Sequence, residues 1–325
     1  MNKKCVVAWL CGVLCIQPVW AQGDSDLPLW LQERFEPVHY DLTRLVDDTA
    51  RGLDQFFGTD DSLFVDNQSF LRIGLETRLR PGDSKLDPSV RFRVDLPTTR
   101  ERMRLIIESD IEEPLGRLSE QGVREIRGGE RFNTNNSAVG LEQRSAKDPT
   151  VQWVQGVGAG IKFGLPLDPY VRYTAARQWN LADKLWQINS VSRITQFNQR
   201  GFQARTNFDV SRKLDEDRFL RFQTYVEYDE RRDSTVFSQT AEINRVLDSR
   251  TAMRYALIAV GDTTGSERIK DYIVQAFYRR DVHKNIVFVD VIPELHFPTL
   301  PGQDPYVALT FRVEAFFRGN FSRAF

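Results

Sequence analysis

Cysteine is confined to the first fifteen positions of this 325-residue chain, at Cys5, Cys11 and Cys15. A chain that sheds this segment on export has no thiol, which excludes disulfides and thiolate metal sites. Six residues also separate Cys15 from the polar start at Gln22, the wrong place for a lipid-anchored terminus. Histidine and methionine are equally scarce, with three of each. No HExxH, GxSxG or calcium-loop carboxylate spacing occurs, so no metal and no cofactor is expected. Beyond the first twenty positions no stretch of ~18 apolar residues exists, which excludes helical membrane spans. Neither sign of charge dominates: 44 basic against 45 acidic residues give a net charge of -1, which becomes -3 once Lys3 and Lys4 are removed. No basic patch or tail marks a nucleic-acid partner.

What the chain does contain begins with an export signal. Lys3 and Lys4 precede an apolar core at 5–16, and Val19-Trp20-Ala21 forms a small-residue site, so residues 1–21 read as a cleaved secretory signal. Residues 22–65 follow a different rule. Leu31, Phe35, Val38, Leu42, Leu45, Val46, Leu53 and Phe56 recur at three- and four-residue spacing, with Asp41, Arg44, Asp47, Asp48 and Arg51 opposite. That is the period of an amphipathic helix. Pro37 starts or kinks it and Gly58 is the expected stop. This segment is expected in the periplasm, as a cap over the rest of the protein or as a plug.

From Ser69 the period changes to two, which defines the third unit, residues 66–325. Leu71, Ile73, Leu75, Thr77 and Leu79 alternate with Arg72, Glu76 and Arg78. After Pro81-Gly82-Asp83, Val90, Phe92, Val94 and Leu96 alternate with Arg91, Arg93 and Asp95, and Met103, Leu105 and Ile107 with Arg104 and Glu108. Further strands are predicted at 137–144, 151–163, 170–178, 184–197, 202–213, 219–228, 235–246, 252–260, 272–280, 286–295 and 306–317, making fourteen. Dropping the two weakest, 137–144 and 170–178, leaves twelve. A strand with one oily and one charged face satisfies both in a closed antiparallel barrel, with lipid outside and a polar lumen inside. The fold expected is therefore all-β, a transmembrane barrel of 12 to 14 strands with 14 preferred, led by an amphipathic helix. Connections counted back from a periplasmic C-terminus are short inside and longer outside, the longest at 111–135; the short external link at 164–169 does not fit this scheme.

Over residues 69–325 this pattern resembles Gram-negative outer-membrane β-barrel proteins, in porin-like form. The sharpest element is the last strand, where Val307, Leu309, Phe311, Val313, Ala315 and Phe317 alternate with Thr310, Arg312 and Glu314. It is similar to the signal such barrels present to the membrane-insertion machinery, although Arg323 interrupts the spacing before the terminal Phe325. The resemblance implies an outer-membrane location, contact with membrane lipid and lipopolysaccharide, and insertion through this strand. It carries over no catalytic residue.

The candidate site is the inward face. Arg72, Glu76, Arg78, Arg91, Arg93, Asp95, Arg104, Glu108, Arg205, Asp209, Arg221, Glu227, Arg254, Arg279, Asp290, Glu294, Arg312 and Glu314 are expected to line the lumen. Such charges are kept from lipid because an arginine at the bilayer midplane costs roughly 2 to 4 kcal/mol. They form either an ion-pair network that fills the barrel or a charged passage for small polar solutes. The expected role is a passive porin-like channel. One alternative is a non-conducting structural or adhesin-like barrel whose external loops bind a partner. A second is a rim-located hydrolase built on His296, near Glu294 and Asp304 in sequence, for which nothing selects a nucleophile. His283 is expected in a turn and His39 in the helix. Gly156, Gly158 and Gly160 share one face of a strand and are expected to make room for the N-terminal segment or a loop. Aromatics such as Trp153, Tyr173, Tyr228, Tyr255, Tyr272, Tyr278 and Phe317 are expected at the two membrane interfaces.

Overall fold

The computed structural model describes Asp26 and residues 69–96, 102–108, 138–144, 150–164, 166–181, 186–215, 217–284 and 286–319. The expected signal at 1–21, the expected helix of 22–65 apart from Asp26, the loop at 111–135 and Phe325 lie outside the described residues.

Fourteen strands follow one another: β1 (Ser69–Arg80), β2 (Asp83–Leu96), β3 (Arg102–Glu108), β4 (Ala138–Arg144), β5 (Val154–Lys162), β6 (Asp168–Leu181), β7 (Trp186–Phe197), β8 (Gly201–Lys213), β9 (Arg218–Asp229), β10 (Ser234–Asp248), β11 (Thr251–Asp262), β12 (Ile269–His283), β13 (Val287–Pro298) and β14 (Tyr306–Gly319). Each pairs antiparallel with the next. β1 then pairs with β14 from Ser69↔Gly319 to Leu79↔Leu309, which closes the barrel. The two least distinct runs in the sequence are both strands, β4 and β6. β2 begins earlier than its alternation suggested, because Pro88 takes an outward position opposite Leu75 instead of ending the strand.

The pleat sorts residues by parity. On β14 the buried set is Ala308, Thr310, Arg312 and Glu314, and the exposed set is Val307, Phe311 and Val313. β5 reads buried and exposed in turn over most of its length. A soluble protein buries its apolar face; here Leu75, Val171, Leu257 and Val313 are exposed while Arg279, Asp290 and Glu294 are buried. This inverted pattern is that of a transmembrane barrel. Trp153, Tyr173, Tyr255 and Tyr272 are on the exposed face as expected, with Trp153 edge-on to Trp179 at 5.7 Å, whereas Phe317 is buried.

Local departures have local causes. Pro293 has no N–H, and the β12–β13 ladder skips from Gln275↔Glu294 to Tyr278↔Val291 around it. Register shifts at Val246/Asp248, Val260/Gly261 and Asp281/His283 all lie near strand ends, the usual place for bulges at a barrel rim. Gly82 turns the β1–β2 hairpin at φ +78°, which a side chain rarely tolerates. In the β8–β9 turn, the Arg218 guanidinium holds the exposed Asp215 carboxyl below its ordinary range through a side-chain hydrogen bond.

Two expectations are revised by packing. The glycine row on β5 is covered by its own neighbours. A Cβ on Gly156 would lie 2.5 Å from Glu142 Oε1, and one on Gly160 would lie 2.6 Å from the Tyr170 hydroxyl and 2.4 Å from the Val139 carbonyl. Side chains of β4 and β6 therefore fill the space that sequence reasoning reserved for a loop or the N-terminal segment. The inward face is also not uniformly charged: Tyr225, Val236, Ala256, Ile258, Val260 and Ile273 form a buried apolar cluster spanning β9 to β12.

Replacing Gly160 with valine must push the Val139 carbonyl and Gly140 Cα aside, since backbone lies within 2.7 Å of the new Cβ. This overpacking is expected to cost about 1 to 3 kcal/mol. The yield of the heat-modifiable folded form after refolding into detergent measures it; wild-type yield would contradict the close approach.

Candidate functional site

The sheet places alternating charge along one row of the interior. Arg279 on β12 lies opposite Asp290 on β13, Asp290 opposite Arg312 on β14, and Arg312 opposite Glu76 on β1. Opposite signs directly across a ladder attract, and their Cβ atoms lie roughly 4.5 to 5.5 Å apart. Arg279 grips Asp290 with two bonds, Nε to Oδ1 at 2.7 Å and Nη2 to Oδ2 at 2.8 Å. Arg312 Nε reaches Asp290 Oδ2 at 3.0 Å. Glu314 lies one pleat away and accepts from both Arg72 and Arg279, with Arg312 at 3.6 Å. Asp290 is fully buried and Arg279 is 3% exposed, so the network is locked against solvent as well as against lipid.

The row continues less tightly on the other wall. Arg221 pairs with Asp209 at 3.2 Å and Glu242 at 3.6 Å, and Arg254 pairs with Glu242 at 3.6 Å while donating to Asn244. Glu227 accepts from Gln203 and from the Tyr225 hydroxyl. Arg205 is buried opposite Glu227. The guanidiniums of Arg254, Arg279 and Arg312 stand 5.4, 5.5 and 5.9 Å from the centre of the Phe277 ring. Stacking of three cations round one ring favours a planar, weakly hydrated group, which suits arginine better than lysine.

Arg72, Glu76, Arg78, Arg205, Asp209, Arg221, Glu227, Arg254, Arg279, Asp290, Glu294, Arg312 and Glu314 thus all occupy the interior. Arg91, Arg93 and Asp95 lie on β2 and Arg104 and Glu108 on β3, with side chains outside the described residues. Glu142, Lys162, Arg172, Arg193, Glu242 and Asp271 are also buried inside but did not stand out in the sequence. Parity along β4 to β7 identifies four of them once the register is known. Their strands alternate weakly because Ala175, Ser190 and Ser192 replace large apolar residues on the outer face.

His296 is fully buried near the end of β13, stacked on Tyr306 with ring centres 4.5 Å apart. Its Nδ1 is 2.5 Å from Asp271 Oδ2; its Nε2 is 3.3 Å from an Arg78 nitrogen and 3.6 Å from Glu294 Oε2. The carboxylate partner is thus Asp271 on β12, which the sequence did not single out. Asp304 instead lines an adjoining cavity of 690 Å³ together with Arg80, Asp262, Lys270, Asp271 and Tyr306. A hydrolytic dyad needs its outer nitrogen turned to a hydroxyl or thiol, and here that nitrogen faces a guanidinium and a carboxylate. His283 closes β12 and is buried, where a turn had been expected.

No family model matches the chain, and no curated protein does. Among solved structures, an anion-selective porin from Comamonas acidovorans is 6% identical at a TM-score of 0.46, over 77% of this chain and 98% of its own. The KdgM porin is 7% identical at 0.36, over 75% of this chain and 98% of its own. Outer-membrane-expressed OmpT of Vibrio cholerae is 8% identical at 0.41, over 78% and 99%. None is similar enough to lend this chain a function.

Arg279→Met takes from Asp290 its two-bonded partner and from Glu314 one of its donors, leaving Arg312 and Arg72 to compensate in part, and is expected to destabilise the barrel by about 3 kcal/mol, the lower end of the usual cost of removing one partner of a buried pair. Arg80 pairs with Asp83 on an exposed turn. Arg80→Met is expected to cost no more than about 1 kcal/mol. Urea unfolding of both variants in detergent makes the comparison, and equal losses would contradict the buried network.

Proposed function

We propose that this protein is an outer-membrane β-barrel of a Gram-negative cell whose interior is a narrow, charge-lined passage for small polar solutes. The observation that carries the reading is the inverted sorting of residues around a closed ring: apolar side chains outside, paired ions inside. Hydrocarbon accepts the first and rejects the second, and ring closure leaves no strand edge unpaired within it. Membrane lipid and lipopolysaccharide are the proposed surroundings, and β14 is the proposed signal to the insertion machinery.

Residues 22–65 are proposed as a periplasmic segment. In support, the Asp26 backbone N–H donates to the Val282 carbonyl, and its carboxylate accepts from Arg250 and Arg280. These partners lie at the end of the barrel where β1 starts and β14 finishes. Asp26 follows the expected cleavage site by only five positions.

The non-conducting reading draws on a specific observation as well. The apolar cluster of β9 to β12 and the locked ion pairs of β12 to β1 occupy interior volume that an open pore leaves to water. Eight strands give a filled barrel and sixteen or more an open one, so fourteen admits either outcome. The hydrolase reading on His296 rests on the Asp271–His296 pair alone, and its test is loss of lipid or peptide hydrolysis in His296→Ala.

Single-channel recording of the folded protein in planar bilayers decides between the first two. Discrete current steps are expected, with an ion selectivity that moves toward cations on Arg312→Gln. A heat-modifiable, correctly inserted barrel that passes no current would establish the non-conducting role instead.

A further inference from the structure

The outer face departs from its own rule on one side of the barrel. Ser192 on β7 and Thr206 on β8 are direct cross-strand partners, with hydroxyl oxygens 3.0 Å apart. Thr224 on β9 and Gln239 on β10 are likewise opposite, and the threonine hydroxyl donates to Gln239 Oε1 at 2.7 Å. The two pairs are contiguous, because Thr206 faces Val226 and Thr224 faces Phe208 across the β8–β9 ladder. Ser192, Thr206 and Thr224 each stand near the middle of their strands, where the belt is deepest. Thr77 is an isolated outward hydroxyl on β1; this is a patch of four.

Accounting for donors shows what is missing. Gln239 uses its oxygen for Thr224, and its two Nε2 hydrogens meet no acceptor among the described residues. A primary amide facing acyl chains without a partner is costly, because hydrocarbon accepts no hydrogen bond. Small residues flank the patch at its two ends: Ala175 lies opposite Ser192, and Ala259 opposite Gln239. Small side chains with interleaved polar groups are the composition that lets protein surfaces approach closely within lipid.

We infer that the β7–β10 face is where a second copy of this chain docks in the membrane. The choice of a second copy follows from self-complementarity. A carboxamide carries donor and acceptor together, and so does a threonine hydroxyl, so the same patch brought up by a symmetry axis supplies what each copy lacks. The inference rests on the membrane-spanning reading but not on whether the barrel conducts.

The test uses the full chain, whose only cysteines lie within residues 1–21, the expected signal. Gln239→Cys then places a single thiol in the patch, and Ile73→Cys places one on β1, well away from it. Oxidation of intact membranes is expected to give a species of twice the chain's mass from Gln239→Cys and none from Ile73→Cys. The double substitution Gln239→Leu with Thr224→Val is expected to leave a heat-modifiable barrel that runs as a monomer by native mass measurement. An inserted, heat-modifiable Gln239→Cys protein that cross-links no better than Ile73→Cys, or only to a protein of different mass, overturns the inference and leaves the membrane reading standing. A chain that never becomes heat-modifiable takes down both.

Discussion

Everything in this structure depends on one pairing, that of the first strand with the last. A sheet in hydrocarbon has no water to satisfy an exposed edge, so every backbone N–H and C=O needs a partner on the next strand. Thirteen hairpin-like pairings between sequential strands do not achieve this. The fourteenth does, by joining β1 to β14 and bringing Arg72 against Glu314 across 242 residues of sequence. The loop entropy of that closure is met only once the intervening strands have assembled, which puts the cooperative step late in folding. Register carries the same weight: a slip of one residue at any seam would turn Arg312 to lipid and Val313 to the interior.

Closure creates the second problem, which the interior solves. Charges excluded from lipid are gathered into a limited volume, where each needs an opposite partner or a large desolvation cost. The cross-strand row Arg279, Asp290, Arg312, Glu76 meets this by alternation of sign, and the forked arginine geometry lets Arg279 bridge Asp290 and Glu314 at once. Phe277 on β12 gathers three guanidiniums around one ring. The interior is thus held by electrostatics and aromatic contact together, which accounts for a face rich in arginine with lysine rare.

Strands with strict period two were legible residue by residue. β13 and β14 matched within a few positions, and Asp290, Glu294, Arg312 and Glu314 on them point inward. All fourteen predicted strands are present, but what lines some of their faces was harder to read. Beyond Arg254, β11 is apolar on both faces up to Val260, because Ala256, Ile258 and Val260 pack inside while Tyr255 and Leu257 face outward, so its alternation fades there. β5 carries glycine on its inner face, and only the coordinates show that Glu142 and Tyr170 lie over it. The Asp271–His296 contact joins two strands whose sequence separation gives no periodic signal, and the clasp on Asp26 joins the chain's start to Arg250 and Arg280. Such contacts are set by register across the sheet, a quantity no single stretch of sequence contains.

The departures from alternation therefore have a meaning that the alternation does not. Period two is what any membrane barrel needs, and it says nothing about what distinguishes one from another. Here the exceptions are not scattered. The inward apolar cluster lies on β9 to β12 and the outward polar patch on β7 to β10, so the two share β9 and β10. On that side of the ring the rule is relaxed on both faces of the same strands. Apolar packing inside reinforces the wall beside its ion pairs, and hydroxyl and amide groups outside make it a poor surface for acyl chains. A wall with apolar packing within and an unsatisfied amide without is suited to carry protein contact, while β13, β14 and β1 keep an outer face that is apolar but for Thr77, the sorting that lipid demands.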